Sequence, residues 1–307
     1  MSMESWPRVV VVGPGAVGAY YGGMLARAGA PVTLLGRPDR PSEHLEAIAR
    51  SGLQMNTVSF EERVAIETSS RPQTVAGADL VLFAVKTLDT EAAGAQIAPH
   101  LSDGSILVDL QNGVDNPEQL RAIGIDPVPA VVYVAAAIER PGEVKHRGRG
   151  DLVIGHRRRR QDLDRVKAWL ERADIGCRIS NDIDRELWVK LILNSMANAI
   201  SALAGKNYGH LARFEPTWKI AEAVAREGVA VARACGHDLD EADVIQKGVD
   251  VCRNVGEATS STQQDIARGR PTEIDALNGT IARHGATHGI ATPVNETLWA
   301  LVKLREQ

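Results

Sequence analysis

Residues 8–29 read RVVVVGPGAVGAYYGGMLARAG. The four consecutive valines, Val9 to Val12, form a β-branched run of the kind that makes a strand buried on both faces. Gly13, Gly15 and Gly18 follow at once in G-x-G-x-x-G spacing. The residues from Ala16 onward then take helical spacing and stop at Gly29. In a strand–turn–helix context each glycine has a physical use. The first permits the tight turn, the second lets the backbone approach a pyrophosphate, and the third lets helix and strand pack closely. The helix start at Ala16, Val17 and Gly18 would turn its N–H groups toward phosphate charge. Pro14 is unusual inside such a loop, but its nitrogen is one donor a phosphate need not use. A tight βα turn without a ligand satisfies the same spacing.

Working outward, the first half of the chain alternates two patterns. PVTLLG (31–36), ADLVLFAVK (78–86), SILVDLQNG (105–113) and VPAVVYVAAAI (128–138) are further apolar strand-like runs, with helix-like segments between them. Such alternation predicts a parallel, doubly wound sheet of the Rossmann type, covered on both faces. GEVKHRGRGDLVIG (142–155) has the look of an antiparallel hairpin closing that region. From about residue 182 the strand pattern disappears, and the segments 182–205, 216–236, 241–259, 273–289 and 292–307 are all helical in character. The expected organisation is therefore an α/β dinucleotide-binding domain over 1–181 and an all-helical domain over 182–307.

The end of the second strand bears on cofactor choice. NAD binders place Asp or Glu there for the ribose 2′-hydroxyl. Here the sequence is LLGRPDR, with Arg37 at that position, Arg40 close behind and Asp39 offset. A guanidinium suits a 2′-phosphate, so NADP is expected over NAD. Two more polar residues end strands: Lys86, and Asn112 in QNG. In open α/β sheets ligands bind outside the carboxyl ends of the strands, so both are candidates for the nicotinamide half of the cofactor.

The helical half carries a different signal. WVKLILNSMANAIS (188–201) is mostly apolar, yet Lys190, Asn194 and Asn198 are spaced by four. On a helix they form one polar row, and buried amine and amide groups need partners. Further on, SSTQQDIARGRPTEIDALNG (260–279) is densely polar. Thr272 before Glu273 and Asp275 reads equally as a helix cap.

Composition excludes several function classes. The 307 residues are 44% hydrophobic and 24% charged, with a formal net charge of −4, so no general attraction to nucleic acid or anionic membrane is expected. The one basic run, HRRRR (156–160), reads as a solvated turn. Cys177, Cys235 and Cys252 are widely spaced, which suits a reducing compartment and offers no disulfide framework. No His/Cys cluster with metal-ligand spacing stands out. The start, MSMESWPR, lacks a signal-peptide pattern, and no uninterrupted apolar run reaches membrane-spanning length. A cytoplasmic location is expected. The apolar helical faces are compatible with a homodimer.

These pieces, in this order, resemble the ketopantoate reductase family (2-dehydropantoate 2-reductases). The resemblance rests on GPGAVG, VK at 85–86, QNG at 111–113, LWVKLILNSMANAISAL at 187–203 and SSTQQDIARGRPTEIDALNG, and it covers nearly the whole chain. It implies NADPH-dependent reduction of the 2-keto group of a small 2-oxo acid, ketopantoate to pantoate. By the same resemblance Lys190 is the general acid and Glu273 its acidic companion, also near the cofactor. Asn194, Asn198 and Ser261 hold the substrate, Asn112 bridges substrate and cofactor, and Lys86 contacts the cofactor. Hydride chemistry belongs to the cofactor, and no metal is required. Two positions depart from the family pattern: Ala258 stands where Asn is common and Thr262 where Met is common. Loss of an amide at 258 leaves room for a related 2-oxo acid. The alternatives are a two-domain dehydrogenase of another hydroxy or amino acid, and a non-catalytic NADP sensor.

Overall fold

The fold was taken from a computed structural model that describes residues 5–40, 42–254 and 256–307. Residues 1–4 of the N-terminal stretch and Val255 of the expected helical segment 241–259 lie outside them. The chain forms two compact units. The first comprises residues up to Gln111 and Asn116–Ile183, and the second Asn112–Asp115 and Asp184–Gln307.

The first unit is built on β1 (Val9–Val12), α1 (Ala16–Arg27), β2 (Val32–Leu35), α2 (Glu43–Ser51), β3 (Leu53–Asn56), β4 (Glu61–Val64) and β5 (Glu67–Ser69). It continues through β6 (Leu80–Phe83), α3 (Thr90–Ile97), β7 (Ile106–Asp109), α4 (Asn116–Ala122), β8 (Val128–Arg140), β9 (Glu143–Ile154), α5 (Arg160–Arg172) and β10 (Cys177–Ile179). The strand order is β4-β3-β9-β8-β7-β6-β1-β2-β5, with β10 beside β9. Its central run, β5-β2-β1-β6-β7-β8, is parallel throughout. That is the doubly wound Rossmann order, with the chain reversing direction across the sheet between β1 and β6.

The apolar runs have a simple cause. Val9 and Val11 face one core with Leu80 and Leu82, covered by Ala19, Tyr21 and Leu25 of α1 and by Val166 and Leu170 of α5. Val10 and Val12 face the other core with Val81 and Phe83, covered by Ile97 and Leu120. A strand buried on both faces has no polar position to alternate with.

The sheet is mixed rather than wholly parallel. GEVKHRGRGDLVIG is not a hairpin by itself; it is the single strand β9, which pairs antiparallel with β8. The turn falls earlier, at Pro141 and Gly142, where Gly142 takes φ +81. Gly148 and Gly150 sit where the β8–β9 register shifts, beside Arg149 at φ 54. They accommodate bulges in a long twisted ribbon. The basic run after β9 behaves as a turn and helix start: Arg159 donates to Asp162 and to the Asp126 carbonyl, and Arg160 pairs with Asp164.

The second unit contains α6 (Ile183–Ala204), α7 (Tyr208–Arg213), α8 (Glu215–Ala234), α9 (Glu241–Asn254), α10 (Ser261–Ala267), α11 (Asn278–His288) and α12 (Pro293–Arg305). The segment 273–289 is not one helix. A 3-10 turn at Ile274–Ala276 precedes α11. By length and composition α6 could cross a bilayer, but 72% of its most apolar window is buried within the protein. Trp188, Leu191, Ile192, Met196 and Ile200 all lie in the helical core. Two glycines bring the neighbouring helices close to it. A Cβ on Gly228 of α8 would fall 2.8 Å from Ile192 Cγ1, and one on Gly248 of α9 would fall 2.6 Å from Met196 Cε. The start of α12 is fixed by Glu227 of α8, whose carboxylate accepts from the Val294 and Asn295 amides at 2.9 Å each.

Because α8 meets α6 at Gly228, Gly228→Val should lose about 1–3 kcal/mol of stability despite replacing a helical glycine. The urea midpoint, at unchanged m-value, reads this directly. Unchanged or increased stability would contradict the close packing.

Candidate active site

The glycine turn lies at the switch point of the first unit. Gly13 takes φ +89, and its amide donates to the Leu35 carbonyl at 3.0 Å. A Cβ there would fall 2.6 Å from Val85 N, and one on Gly18 would fall 2.4 Å from the Gly13 carbonyl oxygen. Both contacts are with backbone, which cannot swing away. Gly15 differs: a Cβ there would meet nothing within 4 Å. Its lack of a side chain opens the N-terminus of α1 to the outside. That helix start has no side-chain cap and no acidic residue in its first turn. The amides at Ala16 and Val17 therefore belong to a helix start shaped for an anion. This donor set fits a dinucleotide pyrophosphate.

Arg37 follows β2, as the sequence indicates, but its guanidinium is already engaged. Nε and Nη2 donate to the two oxygens of Asp39 at 3.3 and 3.0 Å, and Nη1 donates to Asp89 Oδ1 at 2.8 Å. The hydrogen bond from Arg37 holds the Asp39 carboxyl below its usual range. One cation thus faces two carboxylates, and a 2′-phosphate would have to share or displace them.

Lys86 and Asn112 stand beyond the ends of β6 and β7, each half-buried. Lys86 belongs to the first unit and Asn112 to the second. Beneath this edge runs a buried polar network that the sequence reading missed. Gln111 Nε2 donates to the Val85 carbonyl at 3.0 Å and to Thr90 Oγ1 at 2.8 Å, and the Gln111 amide donates to Asp109 Oδ1 at 3.0 Å. The only sequence signal was an acid, Asp109, at the end of an apolar strand. Asp109 is 3% exposed, and burial pushes its carboxyl from 3.8 up to about 7.

The second unit contains Lys190, Asn194, Asn198, Ser261, Glu273 and Asn112. Lys190 and Asn194 are half-buried on α6, whereas Asn198 is 3% exposed. Tyr208 Oη donates to Asn198 Oδ1 at 2.9 Å, and burial pushes the Tyr208 phenol up, keeping it a donor. Ser260 is the residue that ties the polar run to α6. Its hydroxyl donates to the Asn198 carbonyl at 3.3 Å and accepts from the Gln263 amide at 3.0 Å, capping α10. Ser261, one residue on, is exposed, and Thr262 is buried. Ala258 is exposed, and its carbonyl accepts from the Tyr208 amide at 3.1 Å.

The acids after Thr272 separate. Asp275 is a structural residue that accepts from Trp299 Nε1 at 2.7 Å and from Lys303 Nζ at 2.9 Å. Burial pushes its carboxyl up, but those two partners outweigh it and hold the group low. Thr272 accepts from the Ile274 amide at 3.2 Å and donates to Glu306 at 2.5 Å. Glu273 is half-buried and opens the 3-10 turn. A cavity of about 530 Å³ in the first unit is lined by Tyr20, Arg27, Phe60, His146 and Arg149 among others, and by none of the candidate residues.

A first unit with a doubly wound sheet and a dinucleotide-type glycine turn at its switch point, and a second, helical unit bearing a lysine–amide row, define a two-unit oxidoreductase. The chain belongs to the ketopantoate reductase family. The family model described as "Ketopantoate reductase PanE/ApbA" matches residues 9–159, and that described as "Ketopantoate reductase PanE/ApbA C terminal" matches residues 182–306. A 2-dehydropantoate 2-reductase of Halobacterium salinarum is 34% identical, over 98% of this chain and 99% of its own length. The crystal structure of a PanE/ApbA family ketopantoate reductase from Ralstonia eutropha JMP134 aligns with a TM-score of 0.89 and 43% identity, over 97% of this chain and 98% of that one. D-mandelate dehydrogenase with NADH and anilino(oxo)acetate shares the fold at a TM-score of 0.90, 24% identity and 97% and 98% coverage.

Asp109 sets a pH dependence. Between pH 3.8 and about 7 the folded chain holds a proton there that the unfolded chain has released. Stability therefore falls as pH rises through that window. Asp109→Asn keeps an oxygen for the Gln111 amide and removes the titration. It should exceed wild type by about 1–3 kcal/mol above pH 7, with the difference closing near pH 4. Parallel denaturation curves at the two pH values measure it; a constant difference would mean that Asp109 does not titrate with folding.

Proposed function

We propose that this protein reduces the 2-keto group of a small 2-oxo acid, ketopantoate to pantoate, with NADPH as the reductant. The observation that carries the reading is the α6 row: an amine and an amide, Lys190 and Asn194, stay half-buried on a helix whose other positions are largely core. An amine and an amide in one row on a mostly apolar helix offer donors and an acceptor to a small polar ligand. The 2-dehydropantoate 2-reductases to which the chain is similar over nearly their whole length point to the same chemistry.

The first unit supplies the cofactor site: Gly13, Gly15, Ala16, Val17 and Gly18 for the pyrophosphate, Lys86 beyond β6, and Arg37 for the 2′-phosphate. When bound, the nicotinamide supplies a hydride to the keto carbon. Negative charge then develops on the keto oxygen. The Lys190 ammonium stabilises that charge and donates the proton that completes the alcohol. Glu273, in the same unit, balances and orients the ammonium, and it is also a candidate cofactor contact. Asn194 and Asn112 offer both donors and acceptors to a ketone, a hydroxyl and a carboxylate. The amide oxygen of Asn198 is engaged by Tyr208, so its contribution to substrate is through nitrogen. Ser261 offers an exposed hydroxyl to the carboxylate. The exposed Ala258 contributes no amide, so the substrate range is set by fewer polar contacts.

NADPH oxidation with a panel of 2-oxo acids including ketopantoate tests the reading. Ketopantoate should be turned over, and Lys190→Ala should lower kcat by about 10²-fold or more. Full turnover in both Lys190→Ala and Glu273→Ala would sink the mechanism. Cofactor preference has its own test. Arg37→Ala should raise KM for NADPH about tenfold, the worth of one charge-assisted contact, and leave KM for NADH nearly unchanged. Equal effects on both would assign Arg37 to its pairing with Asp39 and Asp89 alone.

A further inference from the structure

Three side chains that the reduction chemistry does not use converge in the second unit. Cys235 caps the C-terminal end of α8, and His284 and His288 stand one turn apart at the end of α11. Cys235 Sγ lies 3.6 Å from His284 Nδ1 and 4.0 Å from His288 Nδ1, and one ligand atom from each of the three residues falls within 4.8 Å of the others. The far nitrogen of His284, Nε2, lies 2.8 Å from Asp115 Oδ1. We propose that Cys235, His284 and His288 form a binding site for a thiophilic divalent cation of the zinc class, with Asp115 as the carboxylate that orients His284.

The distances suit such an ion. A sulfur at ~2.3 Å and an imidazole nitrogen at ~2.05 Å from a tetrahedral centre are about 3.6 Å apart. One thiolate and two imidazoles select zinc, or cobalt in its place, over magnesium or calcium, which prefer oxygen. The carboxylate on Nε2 fixes the tautomer in which that nitrogen carries the proton. The Nδ1 lone pair of His284 then points at Cys235, as a metal ligand requires. His288 Nδ1 rests 2.9 Å from the His284 carbonyl, and ligation exchanges that local contact for the ion. His288 is exposed, so its ring has room to turn. The fourth position would be filled by water.

The same atoms also resemble a Cys–His–Asp nucleophile, but a second imidazole, His288, also approaches the sulfur, at 4.0 Å; a triad has no use for it, and a metal site takes it as a ligand. His284 and His288, four residues apart, put two imidazoles on one helix face. The third ligand comes from 49 residues away.

Cobalt titration into the reduced, untagged full-length chain tests the site. One equivalent should give the visible bands of a tetrahedral ion and a thiolate-to-cobalt charge-transfer band, both competed away by zinc. Cys235→Ser should abolish the charge-transfer band, with the fold checked by circular dichroism. A chain lacking the other two thiols, Cys177→Ser with Cys252→Ser, should keep it. Asp115→Asn should weaken cobalt affinity about 10- to 100-fold, as loss of an orienting carboxylate does. No saturable band, a band that survives Cys235→Ser, or an affinity indifferent to Asp115→Asn would each overturn the proposal.

Discussion

The helical unit depends on one constraint: α6 is buried along most of its surface and still carries polar side chains. A helix that is apolar all round can settle in many rotations, whereas a buried amide must meet its partner. Asn198 is 3% exposed, and the Tyr208 hydroxyl supplies that partner. Tyr208 in turn is held by the Ala258 carbonyl, and the next residue, Gly209, by the Gly256 carbonyl. Ser260 returns to the Asn198 carbonyl, and Ser201 donates to the Lys206 carbonyl and to Gln263. The short helices α7 and α10 therefore lie where the polar groups of α6 need them. On the apolar side, Gly228 and Gly248 let α8 and α9 approach until their backbones nearly touch α6 side chains.

How far each feature was legible depends on how local its cause is. The glycine turn was legible because the constraints on Gly13 and Gly18 come from backbone within the same βαβ unit, and no other residue fits them. The parallel strands were legible because burial on both faces removes polar residues altogether. Strands β4 and β5 were not, because Glu61–Val64 and Glu67–Ser69 are mostly polar and sit at the two ends of the sheet. The β8–β9 ribbon was misplaced because its bulges insert glycines into the middle of a strand, where the sequence alone reads a turn.

The polar residues divide along the same line. Lys190 and Asn194 stood out through their spacing and Glu273 through the family resemblance, and all three lie in the second unit. What spacing could not supply was the set of partners drawn from far away. Arg37 is visible as a cation after β2, but Asp89, which takes one of its nitrogens, is 52 residues on. Asp275 and Glu273 both read as possible cap residues, and only the contacts of Asp275 with Trp299 and Lys303 separate them. Ser260 and Ser261 are indistinguishable in sequence, yet one is fully buried and capping while the other faces outward.

These long-range partners also explain why residues 112–115 belong with the helices although the chain reaches them from β7. Asp115 accepts from His284 at 2.8 Å and from Arg283 at 3.2 Å, and Val114 packs on the helical core. The segment is thus fastened at one end by the buried Asp109–Gln111–Thr90 network and at the other by α11. Asn112 lies between the two fastenings, with Gly113 at φ +106 making the bend. A cation held by Cys235, His284 and His288 would grip the same imidazole that grips Asp115. Its effect would then pass through one carboxylate to a segment three residues from a candidate substrate contact. Metal occupancy and the placement of Asn112 would then be linked through His284, a residue with no proposed part in the hydride chemistry.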